Sequence, residues 1–70
     1  MREVKPFMKC VDYWPDGIPA RKMEIYQEFI RAGQITNPHV IVNEKTRATT
    51  VEYYATIPHE WIRQEMAARL

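Results

Sequence analysis

Apolar and polar residues alternate along the chain in patterns that divide it into four segments. Residues 6 to 14 and 39 to 58 have the period of two that is typical of strands, and the second stretch contains two strands joined by a turn. Residues 18 to 33 and 57 to 70 place apolar residues three or four positions apart, as amphipathic helices do. This order predicts an α+β fold in which a small three-stranded antiparallel sheet carries two helices on one face.

The first helix has the clearest boundaries. Pro19 suits the first helical turn, and Gly33 suits the position just past the last one. Lys22 falls within the apolar arc, so we expect its stem to lie on the core and its ammonium to reach water. Residues 34 to 38 are expected to form a linker, because Pro38 cannot continue a helix. The apolar arc of this helix consists of Met23, Ile25, Tyr26, Phe29 and Ile30.

The hairpin is predicted from the sequence HVIVNEKTRATTVEYYATIP, residues 39 to 58. We predict a register that pairs Val42 with Val51, and hence Val40 with Tyr53, because it gathers these four apolar side chains on one face. Ile41 and Tyr54 then lie on the opposite face among polar residues.

The second helix supplies the rest of the core. Ile62, Met66 and Leu70 follow one another at intervals of four residues, with Trp61 beside them. The residues expected to share one core are Phe29, Ile30, Val42, Tyr53, Ile62 and Met66.

Composition narrows the class of protein. Seventy residues form one small domain, 1 to 70, and ten basic residues against nine acidic ones give a net charge of +1. No apolar run approaches the length of a membrane span, and one cysteine cannot form an internal disulfide. We therefore expect a cytoplasmic protein in a reducing compartment that does not associate with a membrane. The wide spacing of Cys10, His39 and His59 predicts no metal site, and no cofactor is expected.

The sequence does not favour catalysis. The chain has no serine and only two glycines, so it lacks a phosphate-binding loop of the glycine-rich kind. His59 and Glu60 are adjacent, but neighbouring helical residues point about 100° apart. A cysteine in a strand, such as Cys10, is more often a small buried hydrophobe than a nucleophile. We expect a non-enzymatic protein.

The tip of the hairpin raises a nucleic-acid hypothesis. Lys45 and Arg47 alternate with threonines, and a two-stranded ribbon can enter a major groove as the wing of a winged helix does. Arg21 and Lys22 of the first helix are the other candidate contacts. The competing interpretation is a solvated turn, which the near-zero net charge favours, since affinity for nucleic acid rests largely on phosphate neutralisation.

Aromatic side chains outside the predicted core point to protein contacts instead. Ile41 and Tyr54 on the second hairpin face, and Trp14 beside a turn, are the candidate partner-binding residues, with Met8 and Cys10 as further candidates. We predict a protein-interaction module, either a regulator, an inhibitor or an assembly factor, that binds a protein partner or a second copy of itself.

The helix–hairpin–helix order of residues 19 to 70 resembles that of several small phage and bacterial accessory proteins, including head-completion proteins. The likeness is one of arrangement. It implies a phage or mobile-element origin and transfers no residue role.

Overall fold

The computed structural model describes residues 7 to 69, so Pro6 and Leu70 lie outside the described residues. The strands form one antiparallel sheet in the order β1-β3-β2, with both helices packed on one face. This arrangement confirms the predicted α+β fold. Its elements are β1 (Met8–Trp14), α1 (Ala20–Arg31), β2 (Ile35–Val42), β3 (Thr49–Ala55) and α2 (His59–Ala68).

The core lies between the central strand β3 and the two helices. Val51 and Tyr53 of β3 meet Ile25 of α1 and Ile62 of α2, and each of these side chains is at most 2% exposed. Burial on this scale contributes about 1.5 to 3 kcal/mol for each side chain. The remaining buried members of the cluster are Cys10, Tyr26, Ile35, Ala55 and Met66, and partly buried residues packed against them include Met23, Phe29 and Ile30.

The ends of α1 match the sequence prediction. Pro19 occupies the N-cap with φ −65°, and Gly33 follows the helix with φ +77°. The N–H of Gly33 donates to the Ile30 carbonyl at 3.0 Å, and that of Gln34 donates to the Phe29 carbonyl at 2.9 Å. These two bonds form a Schellman motif, which satisfies the last carbonyls of the helix and needs a left-handed residue where glycine stands.

Strand β2 departs from the prediction. It begins at Ile35, so the predicted linker is the first part of a strand. A bulge between Thr36 and His39 interrupts its pairing with β3, and Asn37 takes φ +59° there. Pro38 is compatible with this position because edge strands and bulges tolerate a missing N–H donor.

The predicted hairpin register differs from the observed one by two residues. Val40 pairs with Val51, and Val42 pairs with Thr49. A shift of two residues keeps each side chain on its predicted face. Val42 is nevertheless outside the core, with 54% of its surface exposed, because the residues that contact the helices lie on β3, on β1 and at the start of β2.

Lys22 is half-buried on α1, and its ammonium makes contacts that the sequence did not predict. It donates to the main-chain carbonyls of Met66 and Arg69, the latter at 2.5 Å, and so caps the C-terminal end of α2. Arg69 in turn contacts Glu28 of α1 at 2.7 Å and Glu65 at 2.9 Å. These contacts join the two helices at one end.

Candidate interaction surfaces

The sheet face opposite the helices carries a group of exposed apolar side chains, and we call this surface the open face. Its exposed fractions are 65% for Tyr13, 54% for Ile41, 49% for Val11 and 37% for Tyr54. Among residues 7 to 69, both helices pack against the other side of the sheet. Exposed apolar groups that share one surface, rather than being scattered singly, mark interaction sites.

The strand register arranges this surface in rows. Thr50 of β3 pairs with Tyr13 on one side and with Ile41 on the other. Glu52, in the next row, lies 4.0 Å from the ammonium of Lys9. The open face therefore combines apolar groups with a loose, exposed ion pair, a mixture that is usual for transient interfaces.

The predicted partner-binding residues are divided by the sheet. Ile41 and Tyr54 both lie on the open face, two rows apart, whereas Trp14 lies on the helix-covered face and packs partly buried against the core. The indole Nε1 of Trp14 donates to the Tyr26 hydroxyl at 3.3 Å. Of the further candidates, Met8 is exposed, but Cys10 was wrongly predicted to be available, because it is buried in the core.

Sequence reasoning missed Val11 and Tyr13 as members of the open face. They alternate with Cys10 and Asp12 in the predicted first strand, so their common side was visible. Their placement beside Tyr54 and Ile41 depended on β1 pairing with β3, which local patterns do not specify.

A buried carboxylate organises the helix-covered face. Asp12 accepts hydrogen bonds from the hydroxyls of Tyr26 at 2.5 Å and Tyr53 at 2.6 Å, both through Oδ2. Its Oδ1 lies 2.6 Å from Nε2 of His59 at the start of α2. The Asp12 side chain is only 10% exposed, so these donors replace the water it lost on burial. No local pattern of residues indicates this cluster, because its members come from four different elements.

The electrostatics of this cluster are those of a structural network. Burial, followed by the hydrogen bond to Asp12, raises the pKa of Tyr26 and of Tyr53 far above the ordinary value. Burial, with the nearby Asp12 charge, also raises the pKa of the Cys10 thiol. A group held in its protonated form in this way is a poor nucleophile. The network links β1, β3, α1 and α2 rather than presenting a reactive group.

The hairpin tip forms a closed turn. The side-chain oxygen of Asn43 accepts bonds from the N–H groups of Lys45 and Thr46, and the Asn43 N–H donates to the Ala48 carbonyl at 2.8 Å. Arg47 adopts φ +69° at the end of the turn. The side chains of Lys45 and Arg47 are both exposed.

The four basic candidates do not form one group. A Cβ added to Gly17 would come within 3.3 Å of the Arg47 carbonyl oxygen, so the turn before α1 lies against the hairpin tip. Arg21, in the first turn of α1, is exposed. Lys22 is committed to the end of α2 instead.

Trp61 is an exposed aromatic residue outside the open face. Sequence reasoning placed it beside the core stripe of the second helix, but 58% of its surface is exposed. It borders a groove of about 720 Å³ between α1 and α2, together with Phe29 and Ile57.

Comparison with protein-family models, with curated proteins and with solved structures gives no significant match. Within residues 7 to 69, no three His, Cys, Asp or Glu side chains are grouped closely enough to hold a metal ion. Over the same residues, neither helix has the length and apolar character needed to cross a membrane.

Proposed function

We propose that this chain is a small, non-enzymatic protein-interaction module that binds a protein partner through the open face. The observation that carries this proposal is the exposure of Tyr13, Ile41, Val11 and Tyr54 on one face of the sheet. Tyrosine provides a large contact area at a low entropic cost, which suits it to anchor an interface. A role as regulator, inhibitor or assembly factor, and an origin in a phage or mobile element, stay predictions.

The size of the open face limits the strength of such an interaction. Three strands about 4.8 Å apart and about 23 Å long give a flat area of about 330 Å². A stable interface usually buries about 800 Å² on each partner. We therefore expect a transient complex, or a partner that extends beyond the open face.

The geometry of the polar residues supports the non-enzymatic part of the proposal. The carboxylate of Asp12 is occupied by two tyrosine hydroxyls and by His59. Acid–base catalysis needs a group that can reach a substrate proton. Here the buried polar groups are directed at one another.

Affinity capture from cells of the source organism tests the open face. Wild-type protein should retain a defined partner, and Tyr54→Ala should weaken its binding by at least about 30-fold, as loss of an aromatic anchor does. Gln27→Ala is the matched control, because Gln27 is exposed on α1, away from the open face. A partner retained equally by all three proteins would show that binding occurs elsewhere.

The alternative proposal is nucleic-acid binding by the hairpin tip. It is supported by the exposure of Lys45 and Arg47 and by the position of the Arg47 main chain against the turn that leads into α1. If the tip binds phosphates, replacing Lys45 and Arg47 with alanine should weaken binding to all sequences and flatten the salt dependence by about two units.

A salt titration with DNA and RNA distinguishes the two proposals. Lys9→Ala is the control for the loss of a positive charge, since Lys9 lies on the open face. Wild-type protein that retains DNA at physiological salt, together with a Lys45/Arg47 variant that does not, would favour the nucleic-acid proposal. Absence of binding at low salt would contradict it.

A further inference from the structure

The two edges of the sheet are protected to different degrees. Strand β2 carries a bulge, a left-handed Asn37 and Pro38, all of which hinder the addition of another strand. Strand β1 pairs with β3 without interruption, from Met8 opposite Ala55 to Trp14 opposite Thr49. It contains neither proline nor bulge. An unbroken edge of this kind is a template for strand pairing.

The hairpin bonds determine which main-chain groups point away from the sheet at this edge. Asn43 and Ala48 form a hydrogen-bonded pair at the turn. Bonded and non-bonded pairs alternate in antiparallel sheets, and each residue of a central strand directs both its groups to one side. Thr50 and Glu52 therefore bond to β2. Val51 and the residues two positions before and after it on β3 bond to β1.

The consequence for β1 is specific. Cys10 and Asp12, which pair with Tyr53 and Val51, direct their main-chain groups at β3. The N–H and C=O groups of Lys9, Val11 and Tyr13 then point outward. These three residues also place their side chains on the open face.

A groove runs beside this edge. It has a volume of about 620 Å³ and is lined by Val11, Tyr13 and Trp14 of β1 and by Arg63 and Met66 of α2, among others. The edge of β1 is therefore accessible among the described residues, and α2 stands beside it on the covered side of the sheet. An added strand would find apolar contacts on both faces.

We propose that β1 pairs antiparallel with β1 of a second copy of this chain. Centring the register on Val11 places Val11 opposite Val11 of the second copy and Lys9 opposite Tyr13 of the second copy. All three outward residues then form hydrogen-bonded pairs, with about six N–H···O bonds in all. The stem of Lys9 lies along an aromatic ring, and no like charges face each other.

The chemistry of β1 favours this register over its neighbours. Centring on Lys9 would bring two ammonium groups face to face, which destabilises cross-strand pairs. Centring on Tyr13 would place Val11 opposite Pro15, which has no N–H to donate. The Val11 register avoids both problems, so the strand is complementary to itself.

This pairing uses an edge and does not rest on the proposed function of the open face. It would nevertheless join two open faces into one continuous surface of about 660 Å², twice the area estimated for one copy. That size approaches what a stable interface needs.

Equilibrium sedimentation of the full chain tests the pairing. Between about 1 μM and about 1 mM, the wild-type mass should rise towards twice the monomer mass. Val11→Pro removes an outward N–H and leaves the bonds between β1 and β3 intact. It should raise the dimer dissociation constant by at least about 30-fold, because two carbonyls at the symmetry axis lose their donors. Val42→Pro is the matched control, since Val42 also points its N–H outward, on β2.

A second pair of variants keeps the proposal testable if a proline variant fails to fold. Tyr13→Lys would place a lysine opposite Lys9 of the second copy, twice in each dimer, and should dissociate the dimer. Ile41→Lys adds the same charge to the open face beside β2 and should not. A wild-type protein that stays monomeric at about 1 mM would overturn the proposal. So would dissociation by the β2 variants but not by the β1 variants.

Discussion

The two faces of the sheet differ most plainly at two neighbouring residues. Tyr53 and Tyr54 have the same side chain, yet Tyr53 is 1% exposed and Tyr54 is 37% exposed. Tyr53 packs edge-on against Tyr26 and donates to Asp12, whereas Tyr54 stands on the open face opposite Lys9. The same residue type therefore has a structural role on one face and is available for contacts on the other.

This difference follows from the size of the domain. The described part of this 70-residue chain has two short helices, which cover part of one face of the three-stranded sheet and leave the other face open. Small domains bury only about 60% of their unfolded surface, so apolar groups left on the second face are expected. What distinguishes this sheet is that those groups include two tyrosines and two β-branched residues in neighbouring rows.

The largest expected effect is the difference in stability between alanine substitutions of the two tyrosines. Tyr53→Ala should cost about 3 to 5 kcal/mol, because it leaves a cavity and removes a donor from Asp12. That is comparable to the whole stability of a small domain. Tyr54→Ala should cost less than about 1 kcal/mol. Urea unfolding measures both, and equal losses would contradict the assignment of the two faces.

Alkaline pH should lower the free energy of unfolding through the two buried tyrosines of the helix-covered face. The pKa values of Tyr26 and Tyr53 are raised in the folded protein by burial and by Asp12. Their stabilisation is therefore fully present below the unfolded value of about 10 and is lost as the pH rises above it. Each tyrosine contributes up to about 1.4 kcal/mol per pH unit in that range. Unfolding at pH 8 and pH 11 should show the loss, and a Tyr26→Phe, Tyr53→Phe double variant should show a shallower one.

The hydroxyl of Tyr53 can be tested separately from its ring. Tyr53→Phe keeps the packing but leaves Asp12 with one donor fewer, at a cost of about 1 to 3 kcal/mol. Tyr54→Phe is the matched control and should change the free energy of unfolding by less than about 0.5 kcal/mol. If both substitutions were neutral, the bond between Tyr53 and Asp12 would not contribute to stability.

A smaller effect is expected at the junction of the helices. Lys22→Met keeps the apolar stem but loses the cap on the last carbonyls of α2, and should cost about 0.3 to 1 kcal/mol. Arg21→Met, at the exposed neighbouring position, should be neutral. Thermal unfolding compares them. An equal decrease in melting temperature in both variants would show that the loss of a positive charge, rather than the loss of the cap, destabilises the protein.

Much of the backbone was predictable from local signals. Pro19 and Gly33 mark the ends of α1 because both restrict or permit specific backbone angles. The strict period of two also assigned Val51, Tyr53 and Tyr54 to their correct faces, even though the register was two residues out. A shift of two residues leaves each side chain on the same face of the sheet. The assignment of residues to faces was therefore more robust than the prediction of their pairing partners.

The remaining features depend on contacts between distant residues. Asp12 is an ordinary polar position of a strand until Tyr26, Tyr53 and His59 are brought to it from 14 to 47 residues away. Val42 is apolar, yet it lies beyond the reach of either helix. Neither outcome could be derived before the strand order and the position of the helices were known.

The most direct test of the open face is site-specific photo-crosslinking in cells of the source organism. A photoreactive phenylalanine analogue in place of Tyr54 should yield a discrete adduct, whose mass distinguishes a heterologous partner from a second copy. The same analogue in place of Gln27, on the exposed side of α1, should yield none. Absence of an adduct from Tyr54, or identical adducts from both positions, would contradict the assignment of the open face as the interaction surface.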